Sequence, residues 1–380
     1  MQIASNHVSY CTNVHPAETF DELIETLKTE VASVKANVAP SVSFGVGLRL
    51  SAQMVLSIDE LKLSQLKQTL AAQDFYVFSV NGFPYGDFGV GVVKTDVYSP
   101  GWHDVRRLTY TQGIADILVQ LPGPNRRSIS TVALGFKPEF ESTQNLDLAV
   151  KHLKDVTTYL HTLHQQTGVH IDLCLEPEPG TFLELSEDVV AFFMTYGFVD
   201  NTPQNQHISI CYDTCHQAVM FEDAVACLDT LTDAGVRIGK MQISNAIMLN
   251  QPNSVDQRAA LQSFSEPRFL HQVVANDGAL FALDLTDVQS PDSQWLNASE
   301  WRCHFHVPLH WTGNAQLGTT DAEWRKALDY ALEHALCTHY EIETYTWGVL
   351  PKEQFDADNI AACVSAEFDA VMPHLKGHTP

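Results

Sequence analysis

The chain has 380 residues, 45% of them hydrophobic, enough to bury a full core in one large domain or two smaller ones. Its 46 acidic residues against 22 basic ones give a formal charge of −24, a surface that repels polyanions and argues against nucleic acid as a partner. No run of 18 apolar residues offers direct membrane insertion, and the opening Met1-Gln-Ile-Ala-Ser-Asn-His7 lacks the basic start and apolar core of a signal peptide.

Eight cysteines stand at positions 11, 174, 211, 215, 227, 303, 337 and 363 with no CxxC pair, so a structural zinc cluster is not indicated. Cys174 and Cys211 sit inside apolar runs, where a reduced thiol packs as a small hydrophobe, and a cytoplasmic setting is expected. Residues 8–16 read as a short strand running into a polar turn, and Thr19-Phe-Asp-Glu22 as a capping box that opens a helix to about residue 35. Residues 44–50 form the next strand. Ser57-Ile-Asp-Glu60 looks like a second capping box, ahead of a helix to about residue 73. The strand at 75–80 ends in the turn-rich Asn81-Gly-Phe-Pro-Tyr-Gly86. After a long connection come a helix to about 121, a strand at 130–136 and a long helix at 145–166. The strand at 169–176 closes in Glu176-Pro-Glu-Pro-Gly180, where two prolines and a glycine forbid its extension. A helix near 188–196 leads to a short β-branched and apolar run at 207–212, which ends in Asp213 and His216. A helix at 221–234, a strand at 237–244, an irregular stretch at 246–300 and a strand at 302–309 follow. A helix at 321–335 behind Thr320-x-x-Glu323, a strand at 339–344 and a last helix at 358–372 complete the chain.

Strands and helices alternate throughout, which marks a parallel sheet, and eight βα units follow from Phe44, the number that closes a barrel. The expectation is an α/β fold, a (βα)8 TIM barrel in a single domain over 1–380. Within it, 1–43 is an N-terminal strand–helix addition, 44–350 the barrel and 351–380 a C-terminal helix. The strand at 8–12 is surplus to this count; it either lies across one end of the barrel or displaces one of the eight.

In a parallel barrel all strand tips converge on one face. Here they carry Arg49, Asn81, Lys137, Glu176 with Glu178, Asp213 with His216, Gln242, His306 with His310, and Glu343. Two glutamates, an aspartate and an amide or imidazole at one focus suit a divalent cation, and the same glutamates can move protons on a metal-bound hydroxy-carbonyl. Bland readings stand beside these. Asp213 also suits the N-cap of the next helix, Glu178 a solvated loop charge, Lys137 an ordinary surface lysine, and His304 a core residue facing the helices. Tyr85, Trp102, Trp311, Tyr345 and Trp347 near the mouth would allow stacking on a sugar or an aromatic ring.

Leu-Glu176-Pro, Asp213-Thr-Cys-His216, the site at Gln242 and Ile-Glu343-Thr resemble the xylose isomerase-like TIM barrels, which include sugar isomerases and ketose 3-epimerases. By position, the resemblance implies one Mn, Mg, Co or Zn ion held by Glu176, Asp213, Gln242 and Glu343. It implies proton transfer by Glu176 and Glu343 and a substrate contact from His216. Arg49, Asn81, Lys137, His306 and His310 are the further candidates for substrate binding. Gln242 occupies the place of a histidine ligand in the epimerases, and an amide oxygen binds such ions more weakly. Either the ion is held less tightly, His306 or His310 substitutes, or the site needs no metal.

A resemblance over nearly the whole chain is to the EboE metabolite traffic proteins. It rests on Tyr10-Cys-Thr-Asn-Val-His-Pro16, Gly47-Leu-Arg-Leu-Ser51, Asn81-Gly-Phe-Pro-Tyr-Gly86, Tyr212-Asp-Thr-Cys-His-Gln-Ala-Val219, Gly239-Lys-Met-Gln-Ile-Ser244 and Glu343-Thr-Tyr-Thr-Trp347. These bacterial barrels are associated with moving or maturing secondary-metabolite precursors. Two functions are therefore expected of the chain. One is a metal-dependent, isomerase- or epimerase-like enzyme acting on a small oxygen-rich metabolite. The other is a non-catalytic protein that binds or hands over such a metabolite; the sequence names no partner protein of the same pathway.

Overall fold

The computed structural model describes residues 1–377. Eight parallel strands form the barrel: β1 (Asn6–Tyr10), β2 (Phe44–Arg49), β3 (Phe75–Asn81), β4 (Arg126–Val132), β5 (His170–Glu176), β6 (Ile208–Asp213), β7 (Ile238–Ile243) and β8 (His339–Ile342). They are short and almost wholly buried because helices cover them outside and side chains fill them inside. Residues Gln2–Ile3 add a two-residue antiparallel edge to β1.

The strand left over in the sequence count is β1, and it displaces 302–309 from the barrel. It pairs in parallel with β8 and meets β2 through a bridge between Cys11 and Gly47. Ser9 reinforces this seam: its hydroxyl donates to Gly45 O at 2.7 Å and accepts from Gly47 N at 3.2 Å. Gly47 is required there, since a Cβ would stand 2.2 Å from Glu341 Oε1.

Of 302–309, only Trp301–Cys303 is a strand, and it runs antiparallel to Val273–Ala275 and Ile247–Leu249. With Leu280–Ala282 and Gly318–Thr319 these make a separate five-stranded sheet inserted between β7 and β8. Its own core includes Phe264, Trp301, Phe305 and Trp347. The apolar residues 301–307 that suggested a barrel strand are buried against this sheet instead. Periodicity alone cannot tell the two environments apart.

Helices pack around the barrel as their caps direct. Thr19 and Glu22 form the expected reciprocal capping box. The second box does not form: Asp59, not Ser57, accepts from Lys62 N and caps Glu60–Ala72, because Ser57 ends the preceding turn of helix. Thr143–Thr167 ends at Gly168, whose φ of 75° supplies the left-handed C-terminal turn. Ile360–Gly377 closes the ring beside the first helix. No helix among the described residues is long and apolar enough to cross a membrane.

Candidate metal centre

β5, β6 and β8 each bring a carboxylate to the C-terminal rim. Glu176 is the last residue of β5, Asp213 the last of β6, and Glu343 follows β8 directly. Their ligand oxygens all lie within 4.8 Å of one another. Gln242 on β7 stands between them, in register with Asp213 on one side and Glu341 on the other. All four side chains are buried.

Protein donors orient two of these groups. Asn13 Nδ2 and Asn81 Nδ2 both donate to Glu343 Oε1, at 2.6 and 2.9 Å. Asp213 Oδ1 accepts from His216 N at 2.9 Å and Ser244 Oγ at 2.7 Å, so Asp213 is a helix cap and a rim carboxylate at once. What remains is unusual for a protein interior. Among the described residues, Glu176 Oε2, Asp213 Oδ2 and both side-chain atoms of Gln242 have no hydrogen-bond partner.

The electrostatics repeat the point. Burial, then Glu343 and Asp213, push the Glu176 carboxyl well above the usual range; burial, then Asp213, raises Glu343 as well. One cation lies beneath, Lys240 on β7, but its Nζ is 3.0 Å from Glu341 Oε2 in a fully buried ion pair. Burial alone would lower Lys240; Glu341, together with Cys211, Cys11 and Glu176, outweighs it and keeps the ammonium charged. The rim is thus short of positive charge and has bare oxygens facing one another. That donor set fits a divalent cation bound through oxygen.

Above the rim is a cavity with about 50 Å³ open to water-sized groups, lined by Asn13, Asn81, Glu176, Glu178, His216 and Glu343 among others. That volume holds a few waters beneath the side chains that line the mouth. The cover is aromatic: Phe88, Phe269 and Tyr345 meet with ring centroids 4.9 to 5.1 Å apart.

No protein-family model matches the sequence, and no curated protein matches it. Among solved structures, the chain is similar to a xylose isomerase-like TIM barrel protein from Mycobacterium smegmatis in complex with magnesium. The TM-score is 0.57 at 10% identity, over 100% of both chains. It is also similar to D-psicose 3-epimerase in the presence of D-fructose, with a TM-score of 0.51 at 12% identity over 98% of this chain and 100% of that one. The IOLI protein with a bound zinc atom gives 0.51 at 11% identity, over 97% and 99%. The fold is the xylose isomerase-like TIM barrel.

Within that barrel, the structure brings together Glu176, Asp213, Gln242, Glu343, Asn81, His216 and His306. It leaves Arg49, Lys137 and His310 outside the cavity. Arg49 is buried, but its guanidinium pairs with Glu18 and donates to Gly86 O. Glu18 in turn accepts from Phe88 N and Gly89 N at 2.8 and 2.6 Å, so Arg49 anchors the aromatic cover. Lys137, five residues past β4, is half-exposed and pairs with Glu184. His310 is exposed and stacks on Trp347.

Two residues given bland readings belong to the site. Glu178 is buried and accepts from Tyr98 Oη at 3.1 Å and Gln272 Nε2 at 2.9 Å. His304 does not face the helices; it lines the cavity beside His306, because the loop that carries it crosses the barrel mouth. Sequence reasoning passed over Asn13, Phe88 and Phe269. Asn13 had a signal, as a polar residue at the end of the surplus strand; the two phenylalanines lie in loops with no periodic pattern.

Proposed function

We propose that the protein is a divalent-cation-dependent isomerase or epimerase of a small oxygen-rich metabolite. The observation that carries this reading is the cluster of three buried carboxylates with unpartnered oxygens at the barrel rim. Glu176, Asp213, Gln242 and Glu343 would hold the cation. When bound, it polarises a ligand carbonyl and so acidifies the neighbouring C–H.

The chain's own residues supply the rest. Glu176 and Glu343 reach the ligand from strands three apart in the barrel, so one can take a proton on one face and the other return it on the opposite face. Asn13 and Asn81 hold Glu343 in place. His216 donates Nδ1–H to Pro177 O at 3.0 Å, which leaves Nε2 to accept from a ligand hydroxyl. The aromatic cover excludes water.

The motif resemblance to EboE-like proteins supports a ligand from a secondary-metabolite pathway. All eight cysteines are unpaired and seven are buried, which supports a reducing, cytoplasmic setting. The small covered cavity also favours a second reading, a carrier that retains its ligand without changing it.

Deuterium exchange separates the two. The metal-loaded protein is incubated in D2O with a panel of ketoses and hydroxy-ketones, and the carbon next to the carbonyl is followed by NMR. Exchange that disappears in Glu176→Gln is the expected result. Binding of a panel member with no exchange at any carbon would leave the carrier.

A further inference from the structure

Three histidines meet at the base of the barrel, the end opposite the carboxylate rim. His170 opens β5, His207 directly precedes β6, and His164 stands in the last turn of the helix Thr143–Thr167. One ring nitrogen of each lies within 4.8 Å of those of the other two. The length of β5 separates His170 from Glu176, about 20 Å of extended chain, so the group shares no residue with the rim.

The rings of His170 and His207 stack with centroids 4.3 Å apart, and His164 stands edge-on to both, at 5.3 and 5.6 Å. Any aromatic ring would serve such packing, so the hydrogen bonds decide what imidazole adds. His207 is buried and donates Nδ1–H to Ile171 O at 2.8 Å. His170 Nε2 lies 3.2 Å from Oδ1 of Asp172, an acceptor already paired with Arg126 and Arg237. Each contact leaves the other nitrogen of its ring with a lone pair. Among the described residues no hydrogen bond reaches that nitrogen in either ring, nor either ring nitrogen of His164. A carbonyl or carboxylate on one nitrogen, with the other left bare, is what orients an imidazole toward a metal. Burial, then His170 and His161, holds His164 below its ordinary range, and burial pushes His207 down to about 4. Both rings are therefore neutral at pH 7, the form that binds a cation.

We propose that His164, His170 and His207 bind one cation of the imidazole-preferring class, Zn(II), Ni(II) or Cu(II), with water completing the shell. Nitrogens bound at about 2.1 Å to one such ion stand about 3 to 3.5 Å apart. His164 is partly exposed, so rotation of its side chain closes the remaining gap. The bound ion pins the end of the long helix to the entries of β5 and β6. It clamps the fold and takes no part in the chemistry at the rim, on whose reading it does not depend.

Untagged full-length protein is stripped of metal and dialysed against micromolar Zn(II). Bound zinc is then counted in the wild type, in His164→Gln, in His170→Gln and in the rim variant Glu343→Gln. The expected result is one zinc per chain fewer in each histidine variant, with Glu343→Gln keeping that ion. His164→Gln removes no hydrogen bond and no core side chain, so it should fold in either case. Equal zinc in that variant and the wild type overturns the site. Hydrogen exchange then locates the ion. Zn(II) should slow amide exchange over residues 160–172 and 204–210 in the wild type and leave both segments unchanged in His164→Gln. Protection confined to the rim segments, or equal protection in the two proteins, also overturns the proposal. The carboxylate site is read separately, by Mn(II), and stands or falls without it.

Discussion

The two ends of the barrel treat buried carboxylates in opposite ways. At the base, Asp172 on β5 is fully buried but surrounded: Arg126 Nε is 2.7 Å away, Arg237 Nη1 2.9 Å and His170 Nε2 3.2 Å. Burial alone would raise its proton affinity; the His170 hydrogen bond and the two arginines reverse that and hold the carboxyl well below its ordinary range. At the rim, four residues further along the same strand, Glu176 has carboxylates for neighbours and is pushed the other way. The base is closed with the protein's own cations. The rim is built to need one from outside.

The largest effect that would break this comparison lies between the two ends. If every interior cation is already assigned, Lys240→Met should strand Glu341 and cost about 3 to 5 kcal/mol in a denaturant melt. Adding Glu341→Gln should recover most of it. A small loss in the single variant would mean that Lys240 is free to serve the rim.

Next in size is the response to metal. Mn(II) at a hundred times its Kd should stabilise the stripped protein by about 2.7 kcal/mol, read as a higher Tm. Asp213→Ala and Glu343→Ala should lose that shift, and Arg237→Ala at the base should keep it. Asp213→Ala also removes a helix cap, about 1 kcal/mol, so the shift and not the absolute Tm is the readout.

pH sharpens the contrast, because the two ends should respond with opposite slopes. Glu176 and Glu343 bind protons more tightly folded than unfolded. Their contribution is complete below the ordinary glutamate value of 4.5 and is lost as pH rises from there through neutrality. Each can contribute at most about 1.4 kcal/mol per pH unit. Asp172 behaves inversely, contributing above its ordinary 3.8 and losing that contribution as pH falls below it. Melts of stripped protein should therefore weaken between pH 5 and 8, and saturating Mn(II) should flatten the profile. An equal decline with and without the ion would contradict the rim's role.

The smallest expected effect is Gln242→His, which should tighten Co(II) or Zn(II) at the rim by about tenfold, or 1.4 kcal/mol, in a calorimetric titration. No change would place Gln242 outside the ligand shell.

Much of this was legible in the chain. Each barrel strand except the first came from a short apolar run, and the polar residues that end them, Glu176, Asp213, Gln242 and Glu343, mark one rim once a parallel barrel is assumed. Arg49 shows where the inference weakens. A charged residue closing an apolar strand looks the same whether it will meet a ligand or anchor a loop. Lys137 was harder still, since β4 ends at Val132, four residues earlier than the apolar pattern does.

What the sequence by itself determined is local: strand and helix periods, the Thr19 capping box, the prolines that stop β5 and the charge that repels polyanions. Those depend on residues a few positions apart. The tertiary structure alone decided which strands close the barrel, that His304 and His306 turn toward the rim, and that Phe88 meets Phe269 and Tyr345 above it. Such contacts join distant segments, as Asn13 and Glu343 do across 330 positions. Their free energy depends on burial and charge that exist only after the barrel has closed, so no short window of sequence carries them.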